Sequence, residues 1–353
     1  MGRRSARLLL AVAAVGIALA ALRALRAPQE DPVALHGEAM GTTWSVKVVA
    51  DGASQAERRE IRGLVVERLD EVNRRMSTYD PESELSRFNR HRSIEPFPVS
   101  PPTLAVFRVA QEVSEQTGGA FDVTVGPLVA AWGFGAGGQP EPPSPVRLEA
   151  LRARVGHHLL RIDPEGGGLV KRHPELVCDL SAVAKGYAVD RVAEALAARG
   201  VADDRIEVGG ETRARGERAG GGAWRVAIER PEPGQRSVFG VVALADAALA
   251  TSGDYRTYRD RDGVRLSHLI DPRTGRPAAH RLASVSVLHP SAARADALAT
   301  GLGVLGPDAG PALAERLGLA AYFIVRETDG ALRGVATGAF PPVEGRPGAG
   351  GPG

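Results

Sequence analysis

The chain has 353 residues, a formal net charge of +2 and a single cysteine, Cys178. A balance this close to neutral, with no basic stripe and no run of aromatic platforms, leaves no case for nucleic acid as a partner. One cysteine cannot form an internal disulfide, and the about 320 residues beyond the N-terminal segment suffice for one large unit with a substantial core.

Arg3, Arg4 and Arg7 precede an uncharged apolar run over 8–22, and Arg23 and Arg26 follow it. That is the layout of a signal peptide, with Ala18-Leu19-Ala20 as a cleavage candidate, or of a short uncleaved membrane anchor. Residues 1–30 are therefore set apart, and the rest is expected to be exported, to the periplasm or the outer face of the inner membrane. Residues 31–340 are expected to form one catalytic domain. Alternation over 43–49 predicts a strand, and the spacing of Ile61, Leu64, Val65, Leu69 and Val72 predicts an amphipathic helix over 56–76. Residues 104–116 repeat the helical pattern, 135–145 read as a Gly/Pro-rich loop, and 146–149 start a short helix. The apolar triplet 176–178 predicts a strand that turns at 179 into a helix running to 196. Further strands are expected over 206–208, 224–228, 238–244, 284–288 and 322–325, with Asp329-Gly330 as a hairpin turn. The tail 341–353 is rich in Gly and Pro and is expected to be disordered. The fold class is α+β.

The chemistry concentrates in two places. In Arg294-Ala295-Asp296-Ala297-Leu298-Ala299-Thr300, an acid and a hydroxyl stand four residues apart, on one face of an expected helix. Such a pair suits a hard cation such as magnesium, which takes oxygen ligands and leaves room for water and substrate phosphate. Asp296 is expected at the helix surface, where it adds little to stability. Upstream, Asp179-Leu180-Ser181-Ala182-Val183-Ala184-Lys185 opens a helix whose free amides, capped by Asp179 or Ser181, favour an anion. Lys185 adds positive charge there and is one of only three lysines, with Lys47 and Lys171. Cys178, in apolar surroundings, is expected to be a buried structural thiol. His268, beside Asp271, is the candidate for proton handling because imidazole titrates near working pH; Asp271 and Asp296 are the alternative bases.

Other blocks accompany these: Met40-Gly41-Thr42, Met76-Ser77-Thr78-Tyr79-Asp80, Thr117-Gly118-Gly119-Ala120-Phe121-Asp122, Glu207-Val208-Gly209-Gly210-Glu211, Ser252-Gly253-Asp254 and Ser267-His268-Leu269-Ile270-Asp271. In this order the sequence resembles the FAD:protein FMN transferases, the ApbE flavin-transferase family. The resemblance implies a T-fold-like α/β architecture with the flavin nucleotide in a cleft between two lobes. It further implies magnesium-dependent transfer of the FMN half of FAD to a threonine side chain of an acceptor redox protein subunit, with release of AMP. Asp296 and Thr300 match the family's side-chain magnesium ligands. Ala182 matches a third ligand position, where only a backbone carbonyl could serve. Met40, Tyr79, Ala120, Phe121, Asp122, Asp179, Lys185 and Leu269 match positions that contact FAD. Phe121 and Tyr79 can offer ring faces or edges, and Asp122 and Asp179 can accept from ribityl, ribose or adenine donors. Two other readings stay open: a secreted FAD-binding carrier, and a pyrophosphatase that splits FAD to FMN and AMP. Family members anchored by lipid carry a cysteine just after the apolar run; none stands here, so lipid anchoring is not expected.

Overall fold

The computed structural model describes residues 32–345, apart from 51, 136–140, 164–167, 233, 235–236, 256–257 and 262–263. The signal or anchor assigned to 1–30 lies outside the described residues. The chain enters through β1 (Val33–Ala39) and β2 (Thr42–Val48), a hairpin whose turn places Met40 and Gly41 at positive φ. After the helices α1 (Gln55–Met76), α2 (Pro101–Gln116) and α3 (Ala184–Ala198) come β3 (Asp204–Val208), β4 (Glu211–Arg215), β5 (Trp224–Glu229), β6 (Val238–Leu244), β7 (Ala247–Gly253) and β8 (Leu282–His289). The helix α4 (Ala292–Arg316) then leads to β9 (Ala320–Arg326) and β10 (Leu332–Thr337).

Eight of these strands form one sheet in the order β1-β2-β3-β4-β7-β8-β9-β10, with every neighbouring pair antiparallel. β5 and β6 form a separate hairpin. Side chains alternate across a strand, so each face of the sheet builds its own core. On β9, Ala321, Phe323 and Val325 join the core shared with α1 to α4, whereas Tyr322 and Ile324 join Trp224, Phe239 and Val242 of the hairpin. Mixed helix and antiparallel sheet bear out the α+β expectation.

Helix boundaries follow from caps. Ser54 and Glu57 close a reciprocal capping box at the start of α1, and α2 starts at Pro101, before the expected 104, because proline suits the first turn of a helix. α4 is two helical pieces joined at Gly306, whose φ of 81° breaks the run just before Pro307.

Two expectations are corrected. Residues 176–178 are not a strand: the Asn89 side chain donates to the Cys178 carbonyl and accepts from its amide, both at 2.8 Å, in place of a neighbouring strand. The following helix begins at Ala184, not at 179. Asp179 instead accepts from the Ser181 amide at 2.8 Å and from its hydroxyl, in a local turn. At the other end, the first residues of the tail expected to be disordered are held: Glu344 bridges Val241, and Val343 packs against the hairpin core. Residues 346–353 lie outside the described residues. Burial pushes the Cys178 thiol well above its usual range, so the side chain is inert. Among the described residues no helix is long and apolar enough to cross a membrane.

Candidate active site

The site starts from a close helix crossing. A Cβ on Gly186 of α3 would lie 2.2 Å from the Ala292 carbonyl of α4, so the two backbones meet where only hydrogen fits. One turn further along α3, Asp190 accepts from the amides of Ala292 and Ala293, at 3.0 and 3.1 Å, from the Ser291 hydroxyl at 2.8 Å, and from Arg213. A side chain from one helix thus caps the first turn of the other. That fixes α4 so that Asp296 faces the start of α3.

Asp296 is only 3% exposed, which corrects its placement at the helix surface. Its Oδ2 accepts from the Gly186 amide at 3.0 Å and faces Lys185 Nζ at 3.5 Å. Its Oδ1 accepts no hydrogen bond among the described residues. Lys185 lies closer to Glu211, at 3.0 Å, which enters at the start of β4 after the Gly209-Gly210 turn. Burial pushes the Asp296 carboxyl up to about 7 against the pull of Lys185, and Glu211 pushes the same way. Burial works against the Lys185 ammonium, but the Asp296 and Glu211 carboxylates outweigh it and hold the lysine above its ordinary value. One turn beyond Asp296, Thr300 shares a hydrogen bond of 3.1 Å with Ser252.

These groups line a cleft of about 680 Å³. Of the residues singled out in the sequence, Ala120, Phe121, Asp122, Asp179, Ala182, Lys185, His268, Leu269, Asp296 and Thr300 all border it. The Asp179 amide donates to the Val123 carbonyl at 2.7 Å, tying the two acid-bearing segments together. Asp122 accepts from the Thr124 amide and hydroxyl at 2.8 and 2.7 Å; even so, burial holds its carboxyl above the ordinary range. His268 is half-buried and packs edge-to-face with Phe134, with ring centroids 6.4 Å apart. Both oxygens of Asp271 accept from the Arg273 guanidinium at 2.9 Å.

Two residues stand outside this cleft. Tyr79 is 74% exposed and borders a neighbouring cleft of about 490 Å³, which shares Asp179 and Val129 with the first. Met40 sits in the β1–β2 turn, partly buried against the helical core. Conversely, Glu211, Ser252 and Asp190 had no assigned role. For Glu211 the signal present was an acid directly after a Gly-Gly pair that follows the strand expected over 206–208.

The donor set suits a hard cation. Asp296 Oδ1 and the Thr300 hydroxyl are oxygens one helical turn apart, and Ala182 borders the same space. Two buried carboxylates face one ammonium, leaving an excess of negative charge that a cation would balance. Among the described residues there is no cluster of three or more His, Cys, Asp and Glu, so any cation must also draw on hydroxyl or backbone oxygen.

Residues 40–323 match the family model described as ApbE family. The FAD:protein FMN transferase of Vibrio cholerae is 45% identical over 329 residues, covering 92% of this chain and 97% of that one. Its counterpart in Haemophilus influenzae is 41% identical over 321 residues, covering 89% and 93%. Among solved structures, the flavin transferase ApbE from Vibrio cholerae superimposes with a TM-score of 0.79 at 45% identity, covering 87% of this chain and 97% of that one. The apo form of Pseudomonas stutzeri flavinyl transferase ApbE gives 0.79 at 40% identity, covering 87% and 95%.

Proposed function

The chain belongs to the ApbE family, and from that premise we propose that it is a transferase that moves the FMN part of FAD onto a threonine hydroxyl of an acceptor flavoprotein, releasing AMP, with magnesium as cofactor. The observation that carries this reading is convergence: Asp296, Thr300 and Lys185 border the same cleft as Ala120, Phe121, Asp122, Asp179 and Leu269. The T-fold-like description, with FAD lying between two lobes, belongs to the same proposal. Two separate cores on opposite faces of the sheet support it.

The reaction asks the protein mainly to position groups and to balance charge. Asp296 and Thr300, with the Ala182 carbonyl, would hold magnesium, which when bound offsets charge on the FAD pyrophosphate. Lys185 adds a fixed positive charge beside them. Phe121 and Leu269 offer apolar contact to the ring system, while Asp122 and Asp179 accept from sugar or adenine donors. His268 takes the proton from the threonine hydroxyl as its oxygen bonds to the FMN phosphorus. The bond from that phosphorus to the bridging oxygen breaks, and AMP leaves with the electron pair.

Export through residues 1–30, to the periplasm or the outer face of the inner membrane, completes the reading. Its support is the arginine-flanked apolar run. The test is one incubation of purified protein with FAD and magnesium, with and without a threonine-bearing acceptor, followed by mass spectrometry. Acceptor gaining FMN with matching AMP is the expected result. FMN and AMP with bare acceptor would mean hydrolysis, and unchanged FAD would mean a carrier.

A further inference from the structure

Glu211 is buried to 4% exposure, and its two oxygens differ. Oε1 accepts from Lys185 at 3.0 Å, whereas Oε2 is a buried oxygen with no hydrogen-bond partner. A desolvated carboxylate left half-satisfied is costly, so its position calls for a reason. The geometry around Lys185 supplies one. The ammonium sits between two acids and lies nearer Glu211 than Asp296, at 3.0 against 3.5 Å. Asp296 consequently keeps Oδ1 clear of any protein donor among the described residues.

We propose that Glu211 is a positioning residue that holds the Lys185 ammonium off Asp296, leaving the aspartate's charge and its Oδ1 to a divalent cation. This rests on the cation reading given above. Without the Glu211 carboxylate, Lys185 has one buried acid left to pair with and moves fully onto Asp296, where it competes with the cation. The Gly209-Gly210 turn holds Glu211 in this position. Gly209, at a φ of 66°, lies against the Lys185 stem, with its Cβ position 3.2 Å from Lys185 Cδ.

The test is a double-mutant cycle read by calorimetric titration of the chelator-stripped full chain with magnesium chloride alone. Simple through-space charge effects of Glu211 and Lys185 on a bound cation add; a change in where the lysine sits does not. Glu211→Gln is expected to weaken magnesium association about tenfold. Lys185→Met is expected to strengthen it only about threefold in the native background, but about thirtyfold in the Glu211→Gln background. Equal factors in the two backgrounds would make Glu211 a direct ligand or a remote charge and overturn the proposal. Native protein that takes up no magnesium would end the cation reading along with it. Glu211→Asp keeps the charge but withdraws it by one methylene; it is expected to fall between native and Gln, and it carries the cycle if the Gln variant melts early.

Discussion

Asp190 and Asp296 are both buried acids at the α3–α4 crossing, and they use their oxygens in opposite ways. Asp190 engages both, accepting from two helix amides, a hydroxyl and a guanidinium. Asp296 places two donors on one oxygen and leaves the other with no donor among the described residues. A fully satisfied buried carboxylate holds structure together; a half-satisfied one retains binding capacity for something the protein does not supply. The first should therefore govern stability and the second activity.

The largest effect that would break this contrast concerns Asp296. Asp296→Asn is expected to lower FMN transfer by about a hundredfold or more, with no loss of stability. Transfer assays and calorimetry on one preparation decide it, and unchanged turnover would remove Asp296 from the site. The mirror experiment is Asp190→Ala. It strips the first turn of α4 of its cap and leaves Arg213 without its acid, and is expected to cost about 3 kcal/mol in urea unfolding. Part of the Arg213 guanidinium is solvated, which moderates the loss. A variant as stable as native, yet inactive, would reverse the roles of the two acids.

Gly186→Ala sharpens the comparison by attacking the crossing itself. The added methyl meets the Ala292 carbonyl, and the helices must separate at a cost of about 2 kcal/mol, again read by urea unfolding. The last is a pH dependence. Burial holds Asp296 at about 7 instead of the ordinary 3.8, so between those values the folded chain keeps a proton that the unfolded chain has released. Its contribution to stability is present below the lower value and is lost as pH rises through the upper one. In metal-free protein, the Asp296→Asn variant should therefore gain on native protein as pH rises from about 4 to about 7. Asp204, also raised by burial, to about 6, is common to both proteins and cancels. Parallel curves would show that Asp296 is already ionised throughout.

How much of this was legible in sequence varied with the kind of contact involved. The strands at Val238–Leu244 and Ala320–Arg326 were readable because their own β-branched and aromatic residues carry the pattern. Ala247–Gly253, reading AALATSG, was not. Its small residues are buried by strands on both sides, with Ala250 opposite Val287, so the burial belongs to its neighbours. The triplet 176–178 failed for the converse reason: it is apolar and buried, but its backbone partner is the side chain of Asn89, 89 positions from Cys178.

By itself, the sequence determined what depends on residues close along the chain: the four-residue step from Asp296 to Thr300, the helical spacing over 56–76 and the family to which the ordered blocks belong. Only the tertiary structure decided that Lys185 meets Glu211 across 26 positions and Asp296 across 111. It also decided that Tyr79 stands outside the main cleft and that Asp296 is buried. The reason is physical. Helical spacing and turn chemistry are local properties of the chain, whereas desolvation and charge pairing depend on which distant segments the sheet and the Gly186 crossing bring together.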